Sequence, residues 1–141
     1  MLFRSKEKTK DNPVFYVQYA YARINSILRT LNIKLKKEIK IDKNNFNLNI
    51  MEQKILRKVF EWPKIIEASS RNFDLHKIPF YLYELSTLFH AYWSRGNENK
   101  KYKFLDKGKI KRKEILVIIK LVAVVIENGM KILGVTLPKK M

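Results

Sequence analysis

Aromatic and basic side chains fall together twice in this sequence. Phe15, Tyr16, Tyr19, Tyr21 and Arg23 crowd one segment, and Tyr81, Tyr83, Tyr92 and Trp93 with Arg95 occupy another. Tyr16, Tyr19 and Arg23 are three and four residues apart, so a helix carries them as one strip, roughly opposite Val17, Ile24 and Leu28. Two phenol rings and a guanidinium in a row make a platform for stacking unpaired bases. Such stacking is worth ~1–3 kcal/mol per base, and an arginine adds phosphate or cation–π contacts. Spacing alone leaves a second reading open, in which these tyrosines simply bridge core and solvent.

Covalent and metal chemistry find little to work with. There is no cysteine, which removes disulfides, thiolate metal sites and thiol catalysis, and fits a reducing compartment. The two histidines, His76 and His90, are too far apart for an HExxH pair and have no carboxylate cluster beside them, so no metal site is expected. Glycine-rich phosphate cradles and nucleophile elbows are absent. A triad can be drawn from Ser86, His90 and Glu84, but helical sequences offer such combinations by chance, and His90 between Phe89 and Tyr92 reads better as a partly buried helix histidine. No catalytic residue and no cofactor are expected.

Charge is the other strong signal. Thirty Lys and Arg stand against 13 Asp and Glu, a formal net charge of +17 over 141 residues. With 46% apolar and 12% aromatic residues the chain is not of disordered composition, and its length suits one domain. The excess fits a polyanion partner, nucleic acid above all. Of the basic residues 23 are Lys and only 7 are Arg, so compositional bias is the competing explanation. No signal peptide is evident, because Met1-Leu-Phe-Arg runs straight into a polar stretch. The longest apolar run, 115–126, is broken by Lys120 and falls short of the ~20 residues a membrane span needs. A soluble, cytoplasmic protein is expected, with no membrane partner.

Five helices would position these residues. Asn12 as cap and Pro13 at the first helical position open helix one, which ends near Asn32 before the Lys-rich stretch 34–45. Helix two starts at Asn49 and runs to Trp62, where Pro63 interrupts it. A short third helix covers 63–72. The fourth opens at Asp74 or His76 and ends at Gly96; residues 97–108 read as a loop. The fifth runs from about Ile110 to Leu133, apolar almost all round, with Gly134 as C-cap. Ile39-Lys40-Ile41 is the one weak strand candidate. The fold class is an all-α, single-domain bundle over 12–141, preceded by a polar leader at 1–11.

Four segments carry a family resemblance. Asn12-Pro-Val-Phe-Tyr-Val-Gln-Tyr-Ala-Tyr-Ala-Arg23, Glu61-Trp62-Pro63-Lys-Ile-Ile-Glu67-Ala68, Pro79-Phe-Tyr-Leu-Tyr-Glu-Leu85 through Phe89-His-Ala-Tyr-Trp93, and Asn128-Gly129 through Leu133-Gly134 to Pro138-Lys-Lys-Met141 follow one another in order. Together they resemble the C-terminal, DALR-type anticodon-binding domain of the class I arginyl-tRNA synthetases, from Asn12 to Met141. Tyr21 stands where that family usually has His, and Lys139-Lys140 where it has Glu-Arg. The residue after Leu133-Gly134 and the lead into helix five also depart from its pattern.

The resemblance implies an α-helical domain that grips the anticodon stem-loop of arginine tRNA. It implies that Tyr16, Tyr19, Arg23, Trp93 and Met141 gather around the anticodon, with Tyr92 as a neighbour. Lysines at 34–43 and 100–113 would then hold phosphates, among them Lys100, Lys101, Lys109, Lys111 and Arg112. The family's ATP-binding catalytic domain and its signatures do not appear, so the chain reads as a C-terminal fragment that is not an enzyme by itself. Its parent would be the ATP-dependent arginine–tRNA ligase. A monomer is expected, with apolar surface on helix one giving weak self-association. The alternative is a generic basic helical RNA-binding or interaction module that shares the fold.

Overall fold

The computed structural model describes residues 12–42, 44 and 46–141; the leader, Lys43 and Asn45 lie outside the described residues. Among the described residues five helices form: α1 (Pro13–Thr30), α2 (Ile50–Phe60), α3 (Trp62–Arg71), α4 (Lys77–Glu98) and α5 (Lys113–Ile132). A two-stranded ribbon, β1 (Leu105–Asp106) and β2 (Lys109–Ile110), links α4 to α5.

Local chemistry explains most of the helix ends. Asn12 Oδ1 accepts from Val14 N at 3.0 Å and Phe15 N at 3.4 Å, taking up amides that the first turn of α1 leaves free. Asn49 and Glu52 form a reciprocal capping box at α2, with both bonds at 2.9 Å. Both α1 and α5 end in paired backbone bonds that close the last turn, Ile33 N to Leu28 O and Val135 N to Met130 O, each 2.9 Å. Pro63 sits within the first turn of α3, so the break falls at Glu61, between two helices that each remain intact.

Two expectations need correction, and the weak strand candidate is not taken up. Helix four does not stop at Gly96 but runs on to Glu98, and Gly96 is buried within it. A Cβ at Gly96 would lie 3.2 Å from Tyr102 O and 3.3 Å from Lys103 Cα, so the bare α-carbon is what lets the following loop pack on the helix. The stretch 97–108 is not all loop: Leu105 pairs with Ile110 and Asp106 with Lys109 around Lys107 (φ 47°) and Gly108 (φ 73°). Positive φ at both central residues is the tight-hairpin geometry, and the strands are too short for alternation to reveal them in sequence. Residues 39–41 form no strand.

α1, α4 and α5 pack together, α2 lies on α4 and α5, and α3 on α4. Val17, Ile24, Leu82, Leu85, Phe89, Ile119, Val122 and Ile126 are fully buried between them. α5 is not purely apolar inside. Lys120 is only 8% exposed, and its ammonium donates to the Lys37 carbonyl, pinning the 31–42 segment onto the helix. Burial, helped by the charge of Lys37, lowers its pKa. Exposed apolar surface is not on α1, whose Val14, Val17, Ile24, Ile27 and Leu28 are covered; the exposed large side chains include Phe60, Phe73, Leu75 and Phe80 of the α2–α4 region.

Candidate nucleic-acid interface

α1 and α4 run side by side in the same direction, and the strip predicted on α1 meets Tyr83, His90 and Trp93 of α4 in the groove between them. The Arg23 guanidinium lies over the Tyr19 ring, 4.5 Å from its centroid, and over the Trp93 ring at 5.1 Å. Arg23 Nη2 also donates to the Tyr19 hydroxyl, so the cation is held from two sides. The strip and Trp93 are therefore brought together.

His90 forms the floor. Its ring centroid is 4.4 Å from that of Tyr16 and 5.4 Å from that of Tyr19, and Nε2 donates to the Tyr16 carbonyl at 3.2 Å. A carbonyl cannot donate, so that bond fixes the proton on Nε2. Burial lowers the His90 pKa against the hydrogen bond to the Tyr16 carbonyl, with a smaller push in the same direction from Arg23. No triad forms: Glu84 is ion-paired with Lys58 at the surface, while Ser86 is fully buried. Tyr83 extends the strip, its ring 5.1 Å from Tyr16. Sequence reasoning missed Tyr83 as part of this face, although its seven-residue separation from His90, two helical turns, was a usable signal.

Beyond Trp93 the face opens into a hollow of about 410 Å³, walled by Tyr19, Arg23, Ser26, Trp93, Leu105 and Met141. The hairpin thus supplies one wall, and the chain's last residue, 51% exposed, another. A second concavity of about 680 Å³ runs along Tyr16, Tyr19, His90, Trp93 and Asn97. Both are open, aromatic and bordered by cations.

Tyr92 does not join the face. It is 1% exposed, stacks on Phe104 at 4.9 Å, and donates its hydroxyl to Glu52 Oε1 at 2.7 Å. Neighbouring residues on a helix point about 100° apart, so Trp93 and Tyr92 cannot serve the same surface. Arg112 is also corrected. Its guanidinium donates to Glu52 Oε1 at 2.5 Å and to Asn47 O at 2.5 Å, so its charge neutralises a carboxylate that is 0% exposed. A buried anion holds its cation more firmly than solvent-screened phosphate can. Lys100, Lys101, Lys109 and Lys111 are exposed around the hairpin, with Lys111 Nζ bonded to Lys100 O at 3.0 Å. Among the described residues no cluster of His, Asp and Glu could hold a metal ion, and no helix is long and apolar enough to cross a membrane.

Fold and face together define an all-α domain with a groove of close-packed aromatic rings and cations. The chain belongs to the DALR anticodon binding domain family, whose pattern it matches over residues 17–141. It is 46% identical over 136 residues to an arginine–tRNA ligase of Pelagibacter ubique and 40% identical over 147 residues to one of Ruegeria pomeroyi. Each match covers 96% of this chain but 24% of the relative, so the chain spans about a quarter of these ligases. A crystal structure described as an arginyl-tRNA synthetase from Campylobacter jejuni superposes with a TM-score of 0.77 at 27% identity, over 96% of this chain and 28% of that one.

Proposed function

We propose that this domain binds the anticodon stem-loop of arginine tRNA, for a longer ligase that performs ATP-dependent arginylation in translation. The observation that carries the reading is Arg23 lying over the rings of Tyr19 and Trp93 at the edge of an open hollow that Met141 helps to wall. Anticodon bases are unpaired and can be splayed out, stacked on rings and read on their Watson–Crick edges. Arginine codons all carry G in the middle, so a reader of this tRNA must accept C there. The hollow offers a flat aromatic wall for that base, with Arg23 and Ser26 as polar groups beside it.

Tyr16 and Tyr19 give a second, sequence-tolerant stacking surface, and exposed Lys100, Lys101, Lys109 and Lys111 on the hairpin side attract the phosphates. The domain alone activates no arginine and needs no cofactor, since ATP and arginine chemistry belongs to the remainder of the ligase. A cytoplasmic location and a monomeric state go with this reading; sedimentation checks the latter.

Titration with an arginine anticodon hairpin, and with the same hairpin altered at the middle anticodon base, tests the proposal at near-physiological salt. Preference for the arginine hairpin is expected. Equal, steeply salt-dependent binding to both would mean the chain is a generic basic RNA binder, and any ATP-dependent activation of arginine would contradict the assignment.

A further inference from the structure

A separate hollow of about 240 Å³ lies between α5 and the 31–42 segment, and none of its lining residues belongs to the aromatic face. The chain leaving α1 alternates in burial. Leu31, Ile33 and Leu35 are half-buried, while Asn32, Lys34 and Lys36 are exposed; Ile39 and Ile41 repeat the pattern around exposed Lys40. On α5, Val117, Leu121 and Val124 are four and three residues apart, so they form one stripe, and Val124 is 40% exposed. Leu35, Ile39 and Ile41 face that stripe across the hollow.

One cation interrupts these aliphatic walls. Lys120 lines the same hollow, is only 8% exposed, and gives one of its three ammonium N–H groups to the Lys37 carbonyl. Among the described residues no other protein group accepts from it. The lining holds neither an aromatic ring nor a carboxylate. Along the edge formed by the segment, Lys34, Lys36, Lys37 and Lys40 stand exposed against Glu38 and Asp42. Half-buried Glu114 and Glu127 lie a turn beyond the stripe at its two ends, so the cationic excess sits on the segment's edge and inside the hollow.

This combination selects an occupant. The hollow is smaller than the ~300–1,000 Å³ of small-molecule sites, and a free aliphatic acid would leave the lysine edge unused. RNA would meet the lysines but has no aliphatic group to place between Leu35, Ile39 and Leu121, and no ring is there to stack a base. A polypeptide bearing both acidic and aliphatic side chains satisfies walls, cation and edge together.

We propose that this groove docks an acidic segment of a partner protein. Leu, Ile or Val side chains of the segment enter the hollow, a carboxylate takes the remaining donors of Lys120, and neighbouring carboxylates meet the exposed lysines of the edge. This docking is independent of whether the aromatic face reads an anticodon.

The test is titration of the 141-residue chain with a short, end-blocked peptide that alternates Glu and Leu. Two controls each change one property, with Ser in place of Leu or Gln in place of Glu. The alternating peptide is expected to bind, and each control to bind at least about 10-fold more weakly, the effect of losing charged hydrogen bonds or buried aliphatic side chains. Lys120→Met, which removes the charge but keeps an unbranched apolar side chain, should weaken the Glu peptide and leave the Gln control unchanged. Val124→Ser, at an exposed position, should weaken both Leu-bearing peptides and leave the affinity for an arginine anticodon hairpin as it was. Thermal unfolding checks both variants, and if Lys120→Met does not fold, Val124→Ser decides. Equal binding of the Ser control means that the lysines attract any polyanion and overturns the proposal. Loss of hairpin affinity in Val124→Ser assigns the groove to RNA instead. No peptide binding, or a dimer in sedimentation that only Val124→Ser dissolves, likewise overturns it, the latter in favour of a second copy of the chain.

Discussion

Arg23 illustrates how one side chain can organise a face. Its guanidinium lies over two rings beside the hollow, whereas a lysine at this place would lose both the planar stacking and the forked donors. Removing the Tyr19 ring by Tyr19→Ala should weaken hairpin binding by about 1–3 kcal/mol with little change in helicity, measured by titration alongside circular dichroism. Val17→Ala, on the fully buried side of the same helix, should instead lower stability by about 1–3 kcal/mol and change affinity only through the folded fraction. His90 adds a pH dependence. Its folded pKa lies below the ordinary 6.5, so the unfolded chain takes up a proton first as the pH falls. The stability it contributes is complete above about pH 6.5 and is lost as the pH drops through that value toward the folded pKa. Thermal unfolding followed from about pH 7 to pH 5 should show a fall that His90→Gln reduces.

At the scale of elements, the buried carboxylate of Glu52 joins pieces that are far apart in sequence. It caps α2 through Asn49, accepts from Tyr92 on α4, and pairs with Arg112 just before α5. Tyr92 in turn stacks on Phe104, which also meets the edge of Trp93 at 5.6 Å, so the network supports a wall of the hollow from behind. Glu52→Ala should cost about 2–4 kcal/mol in denaturant unfolding, less than a fully enclosed ion pair because half-exposed Arg112 can turn to water. The approach of the loop to Gly96 is a second joint. Gly96→Val should destabilise by about 1–3 kcal/mol, since the neighbours of the added carbons are backbone atoms that cannot rotate aside.

Over the whole molecule, a charge of +17 sets a field that attracts RNA of any sequence, while the aromatic face selects among bases. Replacing Lys100, Lys101, Lys109 and Lys111 together with Ala should lower affinity for all hairpins alike. The salt slope should flatten by roughly 0.7–0.9 for each phosphate that is no longer neutralised. An unchanged slope would show that the phosphates are held elsewhere, for example by the lysines at 34–42.

What was legible in advance was whatever local chemistry dictates. Asn12-Pro13, Asn49, Pro63 and Gly134 mark helix ends through bonds made within a few residues, and periodicity found the buried face of α1. The Tyr16–Tyr19–Arg23 strip was visible because one helix sets its geometry. Tertiary structure decided the rest, because it depends on which distant segment arrives at each side chain. Whether Tyr92 or Trp93 faces outward is fixed by the carboxylate of Glu52, forty residues earlier. Arg112 is claimed by that same group rather than by phosphate. The tail reaches the site only because Gln18 and Arg29 fasten it more than a hundred residues along the chain, at a contact that no sequence spacing encodes.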